Sequence, residues 1–157
     1  MDNLWSPWRM DYIMQSEKPA GCVFCVAAQQ PDCAENLIVQ RGKLAYVILN
    51  RFPYTSAHLM VVPYAHQPSI ELLDAETRAE MIEWINRAMQ RLRQEYHAEA
   101  FNVGANIGAA AGAGIAAHVH FHIVPRWGGD TNFMTTVGQT RVLPEALEVT
   151  YERLKSG

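Results

Sequence analysis

The sequence predicts an α+β fold built on an antiparallel sheet. Short β-branched or apolar runs outnumber segments with helical periodicity, and most connections between the runs are too short for parallel crossovers. The 157 residues, 49% apolar and 18% charged, suit one globular domain with a single core. No internal repeat and no low-complexity linker divides the chain. We therefore expect one domain over residues 1–157.

Four strands are predicted from local patterns. Residues 44–49 and 58–62 form two apolar runs, and a connection with turn residues and Pro53 joins them. This arrangement predicts an antiparallel pair. Two further strands are predicted at 101–106 and about 117–125, joined by a loop made mostly of Gly and Ala.

Two helices are predicted. The longer one begins after an N-cap at Asp74 and continues to about Tyr96, because apolar residues recur there at three- and four-residue steps. A short C-terminal helix begins near Pro144, which suits the first turn of a helix. Its apolar side comprises Leu147, Tyr151 and Leu154.

Charge and hydropathy limit the classes of partner. The net charge is −3 and the basic residues are scattered, so the chain offers no patch for a nucleic-acid backbone. No apolar segment is long enough to span a bilayer. The first ten residues carry Asp2 and Arg9 where a secretory signal needs an uninterrupted apolar core. We expect a cytoplasmic protein that binds neither nucleic acid nor membrane.

Three histidines, His118, His120 and His122, occupy alternate positions of one predicted strand. Because side chains alternate along a strand, the three imidazoles are expected on one face, with apolar residues on the other. Imidazole is nucleophilic and exchanges protons near pH 7, which suits phosphate chemistry or metal binding. The spacing alone leaves both uses open.

A loop of Gly and Ala over residues 104–114 precedes these histidines. Such a loop can turn sharply and bring backbone N–H groups close to an anion. It does not match the P-loop pattern, because no Lys-Ser or Lys-Thr follows and it leads into a strand. By itself it is weak support for phosphate binding.

The cysteines indicate a metal more than a disulfide. Cys22 and Cys25 form a Cys-x-x-Cys motif, which in a reducing compartment is typical of metal or redox chemistry. The pair supplies half of a zinc site and needs two more ligands. Cys33 is left over and has no predicted role.

The run from His118 to Val124 reads His-φ-His-φ-His-φ-φ, where φ is apolar, and resembles the signature of the histidine triad (HIT) superfamily. The resemblance covers about residues 20–127, and the flanks look like a prokaryotic branch related to diadenosine tetraphosphate hydrolases and phosphorylases. It implies a HIT-like fold with a five-stranded antiparallel sheet, one long helix and a short C-terminal helix. Residues of about 20–34 would form a zinc segment and about 128–157 a C-terminal tail.

The resemblance also implies roles for single residues. His120 would attack an α-phosphorus to give a nucleotidyl-histidine intermediate, His122 would contact the transferring phosphate, and His118 would complete the catalytic triad. Asn50 would lie near the ribose, and two apolar side chains would cover the base. The implied nucleotide-binding residues are Asn50, His58, Asn106, Gly112, Gly114, Leu49 and Phe52.

A structural zinc ion and a homodimer are further implications of the resemblance. In nucleotidyltransferase relatives a Cys-x-x-Cys pair, a downstream His and the first triad His bind zinc. The matching residues here are Cys22, Cys25, His66 and His118. Four protein ligands leave no open position for water, so the zinc ion would be structural. Family members usually dimerise through the main helix and a central strand.

The reaction itself stays open between alternatives. We expect a hydrolase acting on the α-phosphate of dinucleoside polyphosphates, with an ATP adenylyltransferase (diadenosine tetraphosphate phosphorylase) as the alternative. Several relatives carry hydroxyl or amide side chains in the loop, whereas residues 112–117 carry none. Phosphate could occupy that space, which favours the phosphorylase. An adenosine phosphoramidase, a metal-dependent hydrolase and a non-catalytic zinc-binding interaction module remain rivals.

Overall fold

The computed structural model describes residues 21–130 and 145–155. It contains a five-stranded antiparallel sheet with the strand order β1-β2-β3-β5-β4. The strands are β1 (Ile38–Arg41), β2 (Ala45–Leu49), β3 (Leu59–Pro63), β4 (Ala100–Gly104) and β5 (Phe121–Arg126). The helices are α1 (Val23–Gln29), α2 (Ala75–Tyr96) and α3 (Leu147–Lys155). The predicted α+β class and antiparallel sheet are confirmed.

The core lies between α2 and the middle of the sheet. Every residue of β2 and β3 is buried, and α2 packs across both strands. The helix buries one side at three- and four-residue steps, as its sequence pattern predicts. The buried residues of α2 are Thr77, Met81, Ile85, Ala88 and Leu92.

Helix α2 has a capping residue at each end. The carboxylate of Asp74 accepts a hydrogen bond from the backbone N–H of Thr77 at 2.7 Å, so the predicted N-cap is confirmed. The helix ends at Tyr96 and is capped by His97, whose φ of 50° lies in the left-handed region. Within residues 21–130 and 145–155, no helix is long and apolar enough to cross a bilayer.

The local sequence patterns predicted neither helix α1 nor strand β1. Arg41 of β1 donates to the carbonyl oxygens of Ala28 and Gln30, each at 2.8 Å, at the end of α1. A cation at the last carbonyls of a helix stabilises them. Asp32 links this arginine to Lys155 of α3 through ion pairs of 2.7 and 2.6 Å. Arg41 thus connects α1 to the sheet, and Asp32, which follows α1 in the chain, contacts both Arg41 and α3.

The fifth strand begins later than predicted. Its pairing with β3 extends only as far back as Phe121, which lies opposite Val61. Upstream, the N–H of Val119 donates to the carbonyl of Gln67 at 2.7 Å, so the chain leaves the sheet and joins a neighbouring loop. The expectation of a strand from about 117 is wrong for this reason. Strand β4 is also shifted and ends at Gly104, and Pro144 lies outside the described residues.

Candidate active site

The three alternating histidines pack against different neighbours. His120 and His122 keep their rings 5.0 Å apart between centroids, in an edge-to-face arrangement. The ring of His118 lies against His66 instead, at 4.9 Å. His118 and His120 are only 1% and 5% exposed. The row of three imidazoles thus separates into His118, which packs against His66, and the pair His120 and His122, which pack against each other.

The hydrogen bond of His120 defines its protonation. Its Nδ1 lies 2.8 Å from the carbonyl oxygen of His118, and a carbonyl can only accept. Nδ1 therefore carries the proton, and Nε2 keeps a free lone pair. Burial lowers the pKa of His120, which keeps the ring neutral at pH 7. A neutral imidazole whose second nitrogen carries a lone pair can act as a nucleophile.

A second chain of hydrogen bonds defines His122. The backbone N–H of Tyr54 donates to Nδ1 of His58 at 3.1 Å, so the proton of His58 is on Nε2. That nitrogen lies 3.0 Å from Nδ1 of His122 and donates to it. The proton of His122 is then on Nε2, where it can be donated to an anion.

Burial keeps this second pair of imidazoles uncharged. Desolvation, with the charges of neighbouring histidines, lowers the pKa of His58 to about 3 and that of His122 to about 4. Asn50 adds a polar contact, because its Nδ2 lies 3.3 Å from Nδ1 of His58. The side-chain oxygen of Asn50 accepts from the N–H of Phe52 at 2.9 Å. His58 thus contacts His122 through one ring nitrogen and Asn50 through the other.

The predicted phosphate loop is exposed. Asn106, Gly112 and Gly114 all lie in the connection between β4 and β5 and are open to solvent. Gly112 has a φ of 87°, and a Cβ added at Gly112 or Gly114 would meet no atom within 4 Å. The loop therefore leaves free space in front of its backbone.

The two residues expected to cover the base differ in exposure. Leu49 is only 1% exposed, because every residue of β2 is buried, so its side chain packs in the core and does not line an open pocket. Phe52 is partly exposed at the turn that follows β2. Of the two, Phe52 alone presents surface to a ligand.

A compact cluster of four possible metal ligands lies beside this site. The ligand atoms of Cys22, Cys25, His66 and His118 all lie within 4.8 Å of one another. The Sγ of Cys22 is 3.3 Å from Nδ1 of His118, and the Sγ of Cys25 is 3.3 Å from Nδ1 of His66. Tetrahedral zinc with ordinary bond lengths separates a sulfur and a nitrogen ligand by about 3.5 Å. The geometry therefore fits a Cys₂His₂ ion.

The surroundings of the cluster also suit a cation. His118 donates from Nε2 to the carbonyl of Pro63 at 2.9 Å, which leaves Nδ1 free to coordinate. Burial and the adjacent Cys22 thiol raise the pKa of Cys25, so a bound cation would favour ionisation of the Cys25 thiol. Among the described residues this is the one group of three or more potential ligands, and it includes neither His120 nor His122.

Two aromatic residues that the sequence analysis did not single out touch these histidines. Phe24 is 3% exposed, and its ring centroid lies 4.9 Å from that of His120. Tyr54 is 52% exposed and lies 4.6 Å from the ring of His58. The signals available in the sequence were the position of Phe24 between the two cysteines of the Cys-x-x-Cys motif and that of Tyr54 in the turn before His58.

Comparison with known proteins places the site in a family. The model of the HIT domain matches residues 33–129. An AP-4-A phosphorylase of Mycobacterium tuberculosis is 38% identical, over 96% of this chain and 80% of the relative. A zinc-bound histidine triad family protein from Mycobacterium smegmatis superposes with a TM-score of 0.69 at 28% identity, covering 86% of this chain and 91% of that one.

A more distant structure shares the fold. The diadenosine triphosphate hydrolase of Plasmodium falciparum, solved with cyclomarin A, has a TM-score of 0.63 at 20% identity, covering 76% of this chain and 74% of that one. The resemblance drawn from the alternating histidines is confirmed by the match to the domain model and by the relative that shares 38% of its residues. The chain belongs to the histidine triad (HIT) family.

Proposed function

We propose that the chain is a nucleotidyltransferase that cleaves diadenosine tetraphosphate with inorganic phosphate, giving ATP and ADP. The observation that carries the proposal is the buried, neutral His120, whose Nδ1–H is held by a carbonyl so that Nε2 is free to attack. The relative at 38% identity is an AP-4-A phosphorylase, which supports this substrate and this acceptor.

In the first step, Nε2 of His120 attacks the α-phosphorus of one adenosine. A nitrogen–phosphorus bond forms, the bond from phosphorus to the bridging oxygen breaks, and ATP leaves with that electron pair. The imidazole becomes a cation in the intermediate, and the carbonyl of His118 stabilises it by accepting from Nδ1–H. No proton transfer is needed, because the attacking ring is already neutral.

In the second step, a phosphate oxygen attacks the same phosphorus and the nitrogen–phosphorus bond breaks, so that its electron pair returns to Nε2. ADP is released, and His120 is neutral again. Backbone N–H groups of residues 112–117 and the Nε2–H of His122 are proposed to stabilise the charge on the transferring phosphoryl group. The open space at Gly112 and Gly114 supports a site for the acceptor phosphate.

Hydrolysis is the second candidate reaction, and it is the one that the sequence analysis placed first. It shares the first step and differs only in the acceptor, since water would release AMP instead of ADP. An adenosine phosphoramidate would present an α-phosphorus to the same Nε2. These reactions are separated by their products.

We further propose that Cys22, Cys25, His66 and His118 bind a structural zinc ion. The sulfur–nitrogen distances of 3.3 to 3.6 Å between these residues support tetrahedral coordination, as does the zinc-bound relative from Mycobacterium smegmatis. When bound, the ion would supply a crosslink between α1 and the loops around His66 and His118. Free thiols of this kind suit a reducing compartment, which supports a cytoplasmic location.

A homodimer is proposed as the assembly. Among the described strands β4 lies at an edge of the sheet, so pairing with β4 of a second copy would make it a central strand of the dimer; its residues are mostly exposed, and Val103 is 42% exposed. An edge with free backbone groups and apolar side chains is suited to pairing with a second copy. Sedimentation velocity of the purified chain tests this assembly.

The test of the reaction is incubation with diadenosine tetraphosphate, with and without inorganic phosphate, followed by chromatography. Wild-type protein should form ATP and ADP only when phosphate is present. The matched variant is His120→Asn, which removes the nucleophile but can still donate to the carbonyl of His118. We expect it to lose at least about a thousandfold in rate while keeping nucleotide binding. Formation of AMP would favour hydrolysis, and a fully active His120→Asn would disprove the mechanism.

A further inference from the structure

The aromatic residue between the two cysteines lies directly against the proposed nucleophile. The ring of Phe24 has its centroid 4.9 Å from that of His120, at an interplanar angle of 53°. The same ring meets His118 edge-on at 5.4 Å. Phe24 is therefore in contact with both a metal-facing histidine and the histidine that would attack phosphate.

His120 needs such a contact because its polar bond fixes only one atom. The bond from Nδ1 to the carbonyl of His118 restrains the ring at one atom, and a hydrogen bond tolerates a modest pivot about the Cβ–Cγ bond. His122 contacts the ring at 5.0 Å and 71°, and Phe24 contacts it at 4.9 Å. Together the two neighbouring rings limit the pivot and so fix the direction of the Nε2 lone pair.

The position of Phe24 is itself fixed from two sides. Its neighbours in sequence, Cys22 and Cys25, are both in the metal cluster. Its carbonyl oxygen accepts a hydrogen bond of 2.8 Å from the hydroxyl of Tyr46, a residue with no exposed surface. A buried hydroxyl of this kind is costly to leave without its partner, so the bond holds the backbone of Phe24 firmly.

We propose that Phe24 is a positioning residue for His120, through which the metal cluster and Tyr46 set the angle of attack on phosphorus. The inference rests on the proposed function, since it assumes that Nε2 of His120 is the nucleophile. Attack geometry matters strongly, because a misplacement of about 1 Å can reduce a rate about a hundredfold. The cluster would thus serve catalysis through packing, without touching substrate.

The experiment compares Phe24→Leu with Phe101→Leu. Phe101 is also a partly buried aromatic residue packed on the core, but it lies on β4 under the guanidinium of Arg93 and away from the histidines. The measurements are metal content, melting temperature, the steady-state KM for diadenosine tetraphosphate, and the single-turnover rate of adenylyl transfer to His120 at saturating substrate. Phe24→Leu should reduce this rate at least about tenfold, with KM within twofold of wild type. Phe101→Leu should lower the melting temperature while leaving the rate within twofold.

A spectroscopic measurement reports the geometry independently of turnover. In ¹H–¹⁵N spectra of the imidazoles, the Nδ1–H of His120 should exchange slowly in wild type and in Phe101→Leu. In Phe24→Leu its signal should broaden or exchange faster. Tyr46→Phe, which keeps the buried ring and every metal ligand but removes the bond to the Phe24 carbonyl, should change the same signal and rate in the same direction.

The outcomes separate this inference from the proposed function. If His120→Asn is inactive but Phe24→Leu and Tyr46→Phe both match Phe101→Leu in rate and spectrum, the positioning role is refuted and the nucleophile stands. If His120→Asn retains activity, the proposed function fails first. Should Phe24→Leu not fold or not hold metal, Tyr46→Phe decides alone, and a wild-type rate and spectrum for that variant would overturn the inference.

Discussion

The histidines two residues apart in the triad differ in chemistry because each one has a different hydrogen-bond partner. His118 donates from Nε2 to the carbonyl of Pro63, which leaves Nδ1 for the proposed metal, whereas His120 donates from Nδ1, which leaves Nε2 for the proposed attack on substrate. His122 accepts at Nδ1 from His58 and keeps Nε2–H as a donor. Backbone groups thus determine which nitrogen of each ring is available, before any ligand binds.

The left-handed backbone conformation of His97, at the end of α2, predicts how a substitution there changes the free energy of unfolding. His97 has a φ of 50° and is exposed, so it makes no buried contact that would offset the cost of a left-handed conformation. We expect His97→Gly to raise the free energy of unfolding by about 0.5 to 1 kcal/mol, because glycine adopts this angle readily at helix ends. The melting temperature should rise by about 2 °C. Urea unfolding and thermal scans measure both.

The matched control for this prediction is His97→Ala. It removes the imidazole but keeps the Cβ that makes the left-handed conformation costly. Its stability should stay at or below that of wild type. Equal stabilisation by both variants would show that loss of the imidazole, and not relief at the backbone, was responsible.

At the scale of elements, the described part of the chain shows what sequence patterns can and cannot locate. Helix α2 is predicted to within one residue because a cap at Asp74 and a long apolar period mark it. Helix α1 has seven residues and β1 has four, which is too short for a period to be recognised. The start of β5 is misplaced because the partner of Val119 is a loop carbonyl, and alternation alone does not reveal a change of partner.

Some residues of the candidate site could be found from the sequence, and others could be found only from the structure. The His-x-His-x-His alternation and the Cys-x-x-Cys pair are local patterns and were visible in the sequence. Tyr54, whose N–H sets the protonation of His58, and Phe24, whose ring meets His120, act through contacts that form only in the folded chain. Their roles depend on distances between side chains, which no spacing in sequence specifies.

Helix α1 should depend on metal for its attachment. A seven-residue helix is marginal alone, and its two cysteines face His66 and His118 across the cluster. We expect Cys22→Ala with Cys25→Ala to lose one equivalent of bound zinc and to lower the melting temperature by roughly 10 °C, since a well-saturated site contributes about 4 kcal/mol. Plasma emission spectroscopy and thermal scans make the comparison.

Cys33→Ala is the control, because Cys33 lies outside the cluster and its carbonyl, not its thiol, accepts from Asn36 and Leu37. It should keep full zinc content and a melting temperature near that of wild type. Unchanged metal content in the double variant would exclude this set of ligands.

At the scale of the whole molecule, stability is linked to the neutrality of the site. The active-site histidines are packed against a sheet whose central strands have no exposed residues. Their environment therefore resists charge, and the same burial that keeps imidazoles neutral for chemistry gives the fold a dependence on pH. The fold and the site share one energetic requirement, which is that these rings stay unprotonated.

This requirement predicts the direction of the pH dependence. His58 and His122 have folded pKa values of about 3 and about 4, below the value of about 6.5 expected in the unfolded chain. Between about pH 6.5 and 4 the unfolded state binds more protons at these two histidines, so their contribution to the free energy of unfolding falls as pH falls and is level above about pH 7. Each histidine contributes a slope of at most about 1.4 kcal/mol per pH unit. Urea unfolding at several pH values measures it.

His122→Gln isolates one of the two histidines. A glutamine oxygen can still accept from Nε2–H of His58, so His58 keeps its neutral, buried state, and any contribution from metal release is common to both proteins. Between about pH 6.5 and 4, the free energy of unfolding should depend more steeply on pH in wild type than in His122→Gln. The difference in slope should correspond to the uptake of at most one proton on unfolding. Parallel curves would mean that His122 takes up its proton equally in both states, and that its neutrality in the folded protein is not maintained by burial.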